Sequence, residues 1–469
     1  MSTKFVSVDR NQPLLLPPDL RDWIPEDDLV HFVIEAVEGL DLRVFRVNAR
    51  GSGSAQYPPH MMLALLIYCY ANGVFSSRRI ERATYRDIAV RFLTGDTHPD
   101  HDTIAKFRRE NFEGVAACFV HVLELAQEMK LLKVGTVSVD GTKLKANASK
   151  SRSIRYDRAG ALLEQLDLEV RALMEQAERS DQSEETDGQS LPEELARRKK
   201  LKAKLEAARA RIEARAKAKA QKEQAEYEHK LKAREQRKGR AKGCKIKKPD
   251  PTPKPKTQDN LTDPDSRLMR KNKRSAYEQA YNAQASVDAD GSYLVLSTHV
   301  TQCPSDKNEL VENIRGIPET LGQPQTILAD NGYLNEAQVR SLEGHGETPR
   351  MNVLISVCAE AKHQGRTHDF RPPPGNPKPP PTIRSEFVRE MKEKMERGES
   401  REHYRKRKQT VEPVFGTIKK WMGFTQFQLR GHEKVTGEWH LVTLAYNMKR
   451  LWRMHGASKR AELNRPLAA

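Results

Sequence analysis

Three acidic residues stand out because of the residues around them. Asp140 follows a short predicted strand with valines at 134, 137 and 139, and Asp330 follows the apolar run 327–329; each is followed at once by residues typical of a turn. Glu412 stands beside a proline in an apolar stripe. A carboxylate at the tip of a buried strand is held rigidly and faces solvent, which suits a metal ligand or a catalytic acid. Asp-Gly after a strand is also common in a plain turn, so each signal taken alone leaves both interpretations open.

Carboxylates in this number suit metal-assisted phosphate chemistry. Mg²⁺ prefers oxygen ligands and is typically held by one or two carboxylates plus substrate phosphates. Two such ions about 3.5–4 Å apart can activate a water or a 3′-hydroxyl and stabilise the leaving oxygen at a phosphodiester. The histidines 299, 363 and 403 are isolated, so no His or Cys cluster competes for this role. We therefore expect Asp140, Asp330 and Glu412 to hold two Mg²⁺ ions, with Mn²⁺ as a substitute.

The elements that position these acids are predicted from periodicity. Short strands are expected at 136–140, 283–287, 293–299, 326–329 and 352–357, with helices at 308–317, 335–342, 387–409, 411–422 and 434–454. This order is the ribonuclease-H-like arrangement, an α/β fold with a mixed five-stranded sheet and helices. Its neighbouring central strands deliver two aspartates to one edge, and a late helix brings the third carboxylate. The second and third strands form a hairpin in which Asp288 and Asp290 are turn formers.

Glu412 is predicted to lie at the start of its helix. A proline is best tolerated in the first helical turn, and residue 413 is a proline. Lys419, seven residues after Glu412, would then lie two turns along the same face. A carboxylate and a cation stacked in this way could hold a metal and an adjacent phosphate.

Residues 1–130 are predicted to form a helical domain. Helices are expected near 29–37, 60–71 and 85–93, with a cap at 76–77 and a long final helix capped by Asp102. Arg78, Arg79 and Arg82 decorate this domain. They are consistent with a helix-turn-helix-like DNA reader and, equally, with an ordinary solvated face.

Composition points to a polyanionic partner, nucleic acid first. The chain has 469 residues, a formal net charge of +17 and a pI near 9.5. Residues 197–248 contain 22 Lys or Arg against six Glu, a net charge of +16, so one segment carries nearly all the excess. No run approaches the ~18 to 20 apolar residues that span a bilayer. Five scattered cysteines without CxxC spacing, and an N-terminus without a signal peptide, favour a reducing cytoplasm.

The basic segment belongs to an insertion, residues 151–264. Apolar residues at 163–177 and again at 201–212 follow the three-four spacing of a coiled-coil seam, and a polar stretch at 180–189 separates them. We predict an antiparallel helical hairpin, ended by alternate prolines at 249–255. The basic arm is interpreted as a sequence-independent contact to DNA phosphates, with a merely solvated arm as the alternative.

The motifs around the three acids resemble those of the DDE-type transposases of bacterial insertion sequences. The resembling segments are 139–142, 329–333 and 404–419, within a similarity that covers about 14–150 and 265–455. Many such enzymes carry Tyr-x2-Arg-x3-Glu-x6-Lys around the last acid. Tyr404-x2-Arg407 and Glu412-x6-Lys419 match. The middle spacing is four residues, so either Arg407 or Lys408 fills the family's arginine position.

This resemblance implies a DNA transposase that cleaves the ends of an insertion sequence and joins them to target DNA. It implies that Tyr404, Arg407 or Lys408, and Lys419 contact phosphates near the cut, and that the N-terminal helices read the terminal repeats of double-stranded DNA. A homodimer or larger complex on DNA is implied as well, acting at the bacterial nucleoid. The alternatives are a non-catalytic DNA-binding protein from a decayed element and a metal nuclease of the same fold that only hydrolyses.

The domain plan that results has four parts. Residues 1–130 form the helical DNA-binding domain, 131–150 with 265–455 the catalytic domain, 151–264 the insertion, and 456–469 a flexible tail. Asp306 is interpreted as a helix cap, with a position behind the metal ligands as the alternative. Trp421, Trp439 and Trp452 are expected to pack in the C-terminal helices, with stacking on a flipped base as the less favoured role.

Overall fold

The computed structural model of the chain describes residues 19–47, 56–182, 191–235, 247–271, 274–344, 351–357, 383 and 385–463. Six helices come first: α1 (Leu29–Glu38), α2 (Pro59–Ala71), α3 (Ser77–Arg86), α4 (Ile88–Leu93), α5 (His101–Glu110) and α6 (Phe112–Glu128). The predicted long final helix is wrong, because the chain breaks at Asn111 and yields α5 and α6. The N-cap of α5 is Asp100, whose Oδ1 accepts hydrogen bonds from the N–H groups of Asp102 and Thr103.

The insertion follows the first strand. In chain order come β1 (Thr136–Lys145), β2 (Ser153–Arg155), α7 (Tyr156–Gln182), α8 (Leu191–Glu235), β3 (Gln258–Asn260) and β4 (Arg267–Met269). Helices α7 and α8 are antiparallel, since Asp167 and Glu169 of α7 pair with Lys202 and Arg198 of α8. The predicted tip at 180–189 and residues 236–246 of the basic segment lie mostly or wholly outside the described residues.

The base of this hairpin is closed by contacts within the insertion. Strands β2 and β3 pair antiparallel and close its neck. Arg211 and Arg215 of α8 form ion pairs of 2.8 and 2.7 Å with Asp259, whose side chain is fully buried. A small apolar cluster that includes Ile154 and Leu205 packs beneath them. The neck of the hairpin is therefore a packed element, and the role of its basic arm stays a prediction.

The remaining elements complete the sheet and cover it. They are β5 (Glu278–Asp288), β6 (Val295–Thr301), α9 (Leu310–Arg315), β7 (Thr326–Ala329), α10 (Glu336–Glu343), β8 (Asn352–Ile355), α11 (Glu386–Glu396), α12 (Gly398–Gly416) and α13 (His432–Leu463). A π-turn at Thr417–Trp421 follows α12. The predicted Pro-rich loop at 363–383 lies almost entirely outside the described residues. Helix α13 continues past 456, where the tail is predicted, to Leu463.

Five strands lie in the order β6–β5–β1–β7–β8, and the short β4 adds a sixth at the end of β5. Strand β5 is antiparallel to both β1 and β6, whereas β1, β7 and β8 are parallel. The sheet is thus mixed, and β1 is central. The turn between β5 and β6 is held by Asp288, which accepts hydrogen bonds from the N–H and hydroxyl of Ser292, as a turn former does.

The N-terminal helices share one hydrophobic core with the sheet. This core runs from Val30 and Leu65 through Val139 and Ile327 to Trp439. A chain of buried hydrogen bonds joins the N-terminal helices to α13. Arg108 donates to the Tyr70 hydroxyl, and that hydroxyl donates to Glu438 of α13. The Glu438 carboxylate also accepts the N–H groups of Gln428 and Leu429. The helical part is therefore fixed rigidly against the sheet that carries the acids.

Candidate active site

Asp140 lies in the middle of its strand. The prediction that the strand ends in an Asp-Gly turn is wrong, because β1 continues to Lys145 and pairs with β5 along its length. Gly141 serves close packing instead of a turn. A Cβ at this position would overlap Gln284 Nε2 and come within 2.6 Å of Asp306 Oδ1, so only glycine fits between these side chains.

Asp330 immediately follows β7 and begins a short 3₁₀ turn. Its Oδ1 accepts the N–H of Gly332 at 2.8 Å. The parallel pairing of β1 with β7 ends at Ser138 and Leu328, and each aspartate comes two residues later. Because side chains alternate along a strand, the two carboxylates reach the same face of the sheet side by side.

Arg407 of α12 lies between the two aspartates. Its guanidinium is 3.6 Å from Asp140 Oδ2 and 3.7 Å from Asp330 Oδ2, and only 11% of its side chain is exposed. The buried Nε has no hydrogen-bond partner among the described residues. The sequence prediction gives Arg407 a phosphate contact. In the DNA-free chain it pairs with the two acids, and its phosphate contact stays a prediction.

Burial favours the protonated form of Asp140. Burial raises its pKa from 3.8 to about 6; Arg407 and the Gly141 N–H oppose this rise, and Asp330 and Asp306 add to it. A carboxyl with a pKa this high is buried among like charges and therefore well suited to a cation.

Glu412 is placed differently from the prediction of a helix start. It lies in the last third of α12, which includes Pro413, and its side chain is exposed. Proline has no N–H, so the carbonyl four residues earlier loses its helical donor, and the helix tolerates this near its end. Within the described ranges, no three His, Cys, Asp or Glu side chains are close enough together to hold a metal ion. The role of Glu412 stays a prediction.

Lys419 approaches the site from the π-turn. The prediction places Lys419 two α-helical turns after Glu412 on the same helix face. The chain forms a wider π-turn at Thr417–Trp421, so this α-helical spacing does not apply. Its ammonium donates to Thr142 Oγ1, two residues beyond Asp140. The pKa of Lys419 falls from 10.5 to about 8, chiefly because of burial; Lys271 and Lys143 contribute to this fall, and Asp140 opposes it.

The other predicted contacts are distributed over two surfaces. The Tyr404 hydroxyl donates to the carbonyl of Ala329 at 3.1 Å, so it supports β7 just before Asp330, and burial raises its pKa. Lys408 is exposed on α12. Arg78, Arg79 and Arg82 are exposed on α3, a helix in the N-terminal part of the chain. The DNA contacts of all these residues stay predictions.

Asp306 is placed differently from the prediction of a helix cap. It is no side-chain cap, because α9 begins at Leu310 without a side-chain cap bond. Its Oδ1 accepts hydrogen bonds from Asn282 and Gln284 of β5. An acidic residue shortly after a predicted strand, the same signal that marks Asp330, could have drawn attention to it.

Trp421 differs most from expectation. Trp439 is fully buried and donates to the carbonyl of Gln284, and Trp452 donates to the carbonyl of Asp27. Trp421 is 87% exposed. It lines a cavity of about 330 Å³ with Tyr446, Arg453 and other residues of α13. The packing prediction is wrong for Trp421, because the π-turn directs it outward.

Two family models match the chain. One, described as a transposase domain (DUF772), covers residues 18–110. The other, described as a transposase DDE domain, covers residues 356–452 and includes α12 with Glu412. The chain is therefore of the transposase class in both its N-terminal and C-terminal parts. These two matches support a DDE transposase of an insertion sequence.

Other comparisons add no relative. Neither a curated protein nor a solved structure matches the chain significantly. Among the helices that the structure describes, none is both long and apolar enough to cross a membrane.

Proposed function

We propose that the protein cleaves the ends of an insertion sequence and joins them to target DNA, with a ribonuclease-H-like core. One observation carries the proposal. Asp140 and Asp330 stand side by side on neighbouring parallel strands, and the helix that bears Glu412 covers them. The strand order β6–β5–β1–β7–β8, with β5 antiparallel, supports the fold assignment.

The residues fit a divalent metal of the Mg²⁺ type. Asp140 and Asp330 offer carboxylate oxygens, and the raised pKa of Asp140 is due to burial and to neighbouring acids that a cation would neutralise. Glu412 would complete the set. Bound ions would activate a water or a 3′-hydroxyl and stabilise the leaving oxygen of the phosphodiester.

The remaining side chains have separate tasks. Arg407 pairs with the two aspartates in the absence of a cation. When a cation binds the aspartates, the guanidinium of Arg407 becomes available to a DNA phosphate. Lys419 supplies a cation beside Thr142 for a phosphate near the cut. Tyr404 positions the end of β7. The exposed arginines of α3 read the element ends, and two copies of the chain pair these ends.

The test uses labelled oligonucleotides of the inverted repeats that flank the gene, with Mg²⁺ or Mn²⁺ and a target plasmid. Asp140→Asn, Asp330→Asn and Glu412→Gln should each abolish nicking and joining and leave binding to the ends largely intact. Glu402→Gln, on the exposed side of the same helix, is the matched control and should remain active.

Each failure has a distinct meaning. Cleavage at the wild-type rate by any one triad variant would remove that residue from the site. Nicking without joining would identify a hydrolytic nuclease of the same fold. Binding to the ends without any cleavage by the wild-type protein would identify a DNA-binding protein from a decayed element.

A further inference from the structure

Asp306 lies beside the two aspartates, although it belongs to the loop after β6. Its Oδ1 accepts hydrogen bonds of 2.7 Å from both Asn282 Nδ2 and Gln284 Nε2. These two amides are fully buried on β5, where Gln284 pairs with Gly141. Two rigid donors therefore fix one oxygen of Asp306 and the orientation of the whole carboxylate.

The second oxygen of Asp306 faces Asp330. A Cβ on Gly332 would stand 2.8 Å from Asp330 Oδ1 and 3.7 Å from Asp306 Oδ2, so both oxygens border the same point. Gly141, next to Asp140, likewise leaves room for Asp306 Oδ1. A glycine beside each aspartate thus lets a third carboxylate come close.

A separate observation points to a cation here. Asn282 is fully buried, yet its Oδ1 has no hydrogen-bond partner among the described residues. This oxygen would lie 3.0 Å from a Cβ on Gly141. A buried amide oxygen without a donor is unfavourable, and a nearby cation, or a water bound to it, would remove that cost.

We infer that Asp306 is a fourth carboxylate of the active site, whose Oδ2 binds the divalent cations held by Asp140 and Asp330. The inference rests on the proposed function and deepens it. Arg407 now occupies the space between Asp140 and Asp330, and a cation that displaces its guanidinium lets the oxygens converge. Oxygen donors at this point extend the hard-ligand set that Mg²⁺ and Mn²⁺ prefer.

The test measures Mn²⁺ binding to the full-length protein without DNA, by calorimetry and by the paramagnetic resonance signal of free Mn²⁺. Asp306→Asn keeps a carbonyl oxygen for the two amides and removes the charge. It should weaken Mn²⁺ affinity at least 10- to 100-fold, because a loss of about that size follows the removal even of a group that only supports a metal ligand. Glu312→Gln, an exposed acid on α9, is the control and should bind Mn²⁺ as the wild type does.

The reference variant Asp140→Asn separates the two proposals. If it loses Mn²⁺ binding while Asp306→Asn binds normally, Asp306 is not part of the site, and the proposed function stands. If Asp140→Asn also binds normally, the metal site of the proposed function is itself refuted. Should Asp306→Asn fail to fold, Asp306→Glu keeps the charge and displaces it by one methylene. Unchanged Mn²⁺ affinity in that variant would overturn the inference.

Discussion

Asp140→Asn should stabilise the protein at neutral pH while it abolishes activity. Burial raises the pKa of Asp140 from 3.8 to about 6, against the opposing effect of Arg407. Between these values the folded chain holds a proton that the unfolded chain has lost, so the free energy of unfolding falls as pH rises through this window. The difference between a pKa of 3.8 and one of about 6 corresponds to about 3 kcal/mol of stability lost above pH 6.

An asparagine of the same shape removes this cost but leaves Arg407 with one acid fewer. We therefore expect a gain of about 1–3 kcal/mol in the free energy of unfolding at pH 7.5 in a metal chelator. Urea denaturation at pH 7.5 and at pH 5 measures it, and the gain should shrink at the lower pH. Excess Mg²⁺ should reduce or reverse the difference, because only the wild type keeps its full ligand set.

Glu312→Gln, an exposed acid, is the control and should leave stability unchanged at both pH values. A variant that is less stable than the wild type at pH 7.5 would refute the reasoning. So would a stability difference of the same size at both pH values, because a protonation effect must depend on pH.

Two further predictions concern cations. Because the pKa of Lys419 is lowered to about 8, chiefly by burial, its charge is lost as pH rises through about 8, and the rate of end cleavage should fall there. Lys419→Arg should hold its rate to higher pH in a pH–rate profile, with Lys420→Arg as the exposed control; identical profiles would contradict this. The hairpin can be removed by replacing residues 158–256 with a short glycine linker, together with Asp259→Asn, which avoids a buried acid without its arginine partners. DNA affinity should then depend less on salt, and the log–log slope should change by about 0.9 for each phosphate that the protein no longer neutralises. Preference for the element ends should survive, as judged by binding to end and random duplexes at several salt concentrations. An unchanged slope, or a selective loss of end preference, would show that the hairpin has another role.

The two aspartates could be predicted from sequence because each follows a buried apolar run. The course of β1 beyond Asp140 could not. Asp-Gly is a local signal for a turn, whereas pairing with β5 keeps the strand extended through Gly141. Tertiary pairing of this kind routinely overrides local preference.

The surroundings of Asp306 and Trp421 could not be predicted from the sequence for a similar reason. Asp306 is defined by amides of a neighbouring strand, and no local pattern records which residues face it. Trp421 is directed outward by a π-turn, which sequence periodicity does not distinguish from an α-helix. The positions of the two aspartates could therefore be predicted better than the arrangement of the groups around them.

The paired neck of the insertion has a consequence for how the chain folds. The central sheet needs β1 to pair with β5, so that Val137 meets Asp288 and Lys145 meets Ala280, and closing a loop of that length is slow. Helices α7 and α8 together with the β2–β3 neck make contacts more local in sequence, and Arg155 comes to lie beside Gln258. Once this hairpin has formed, the loop that separates β1 from β5 is effectively short, and its closure entropy falls accordingly. A hairpin that forms first would therefore bring β1 and β5 together before they pair.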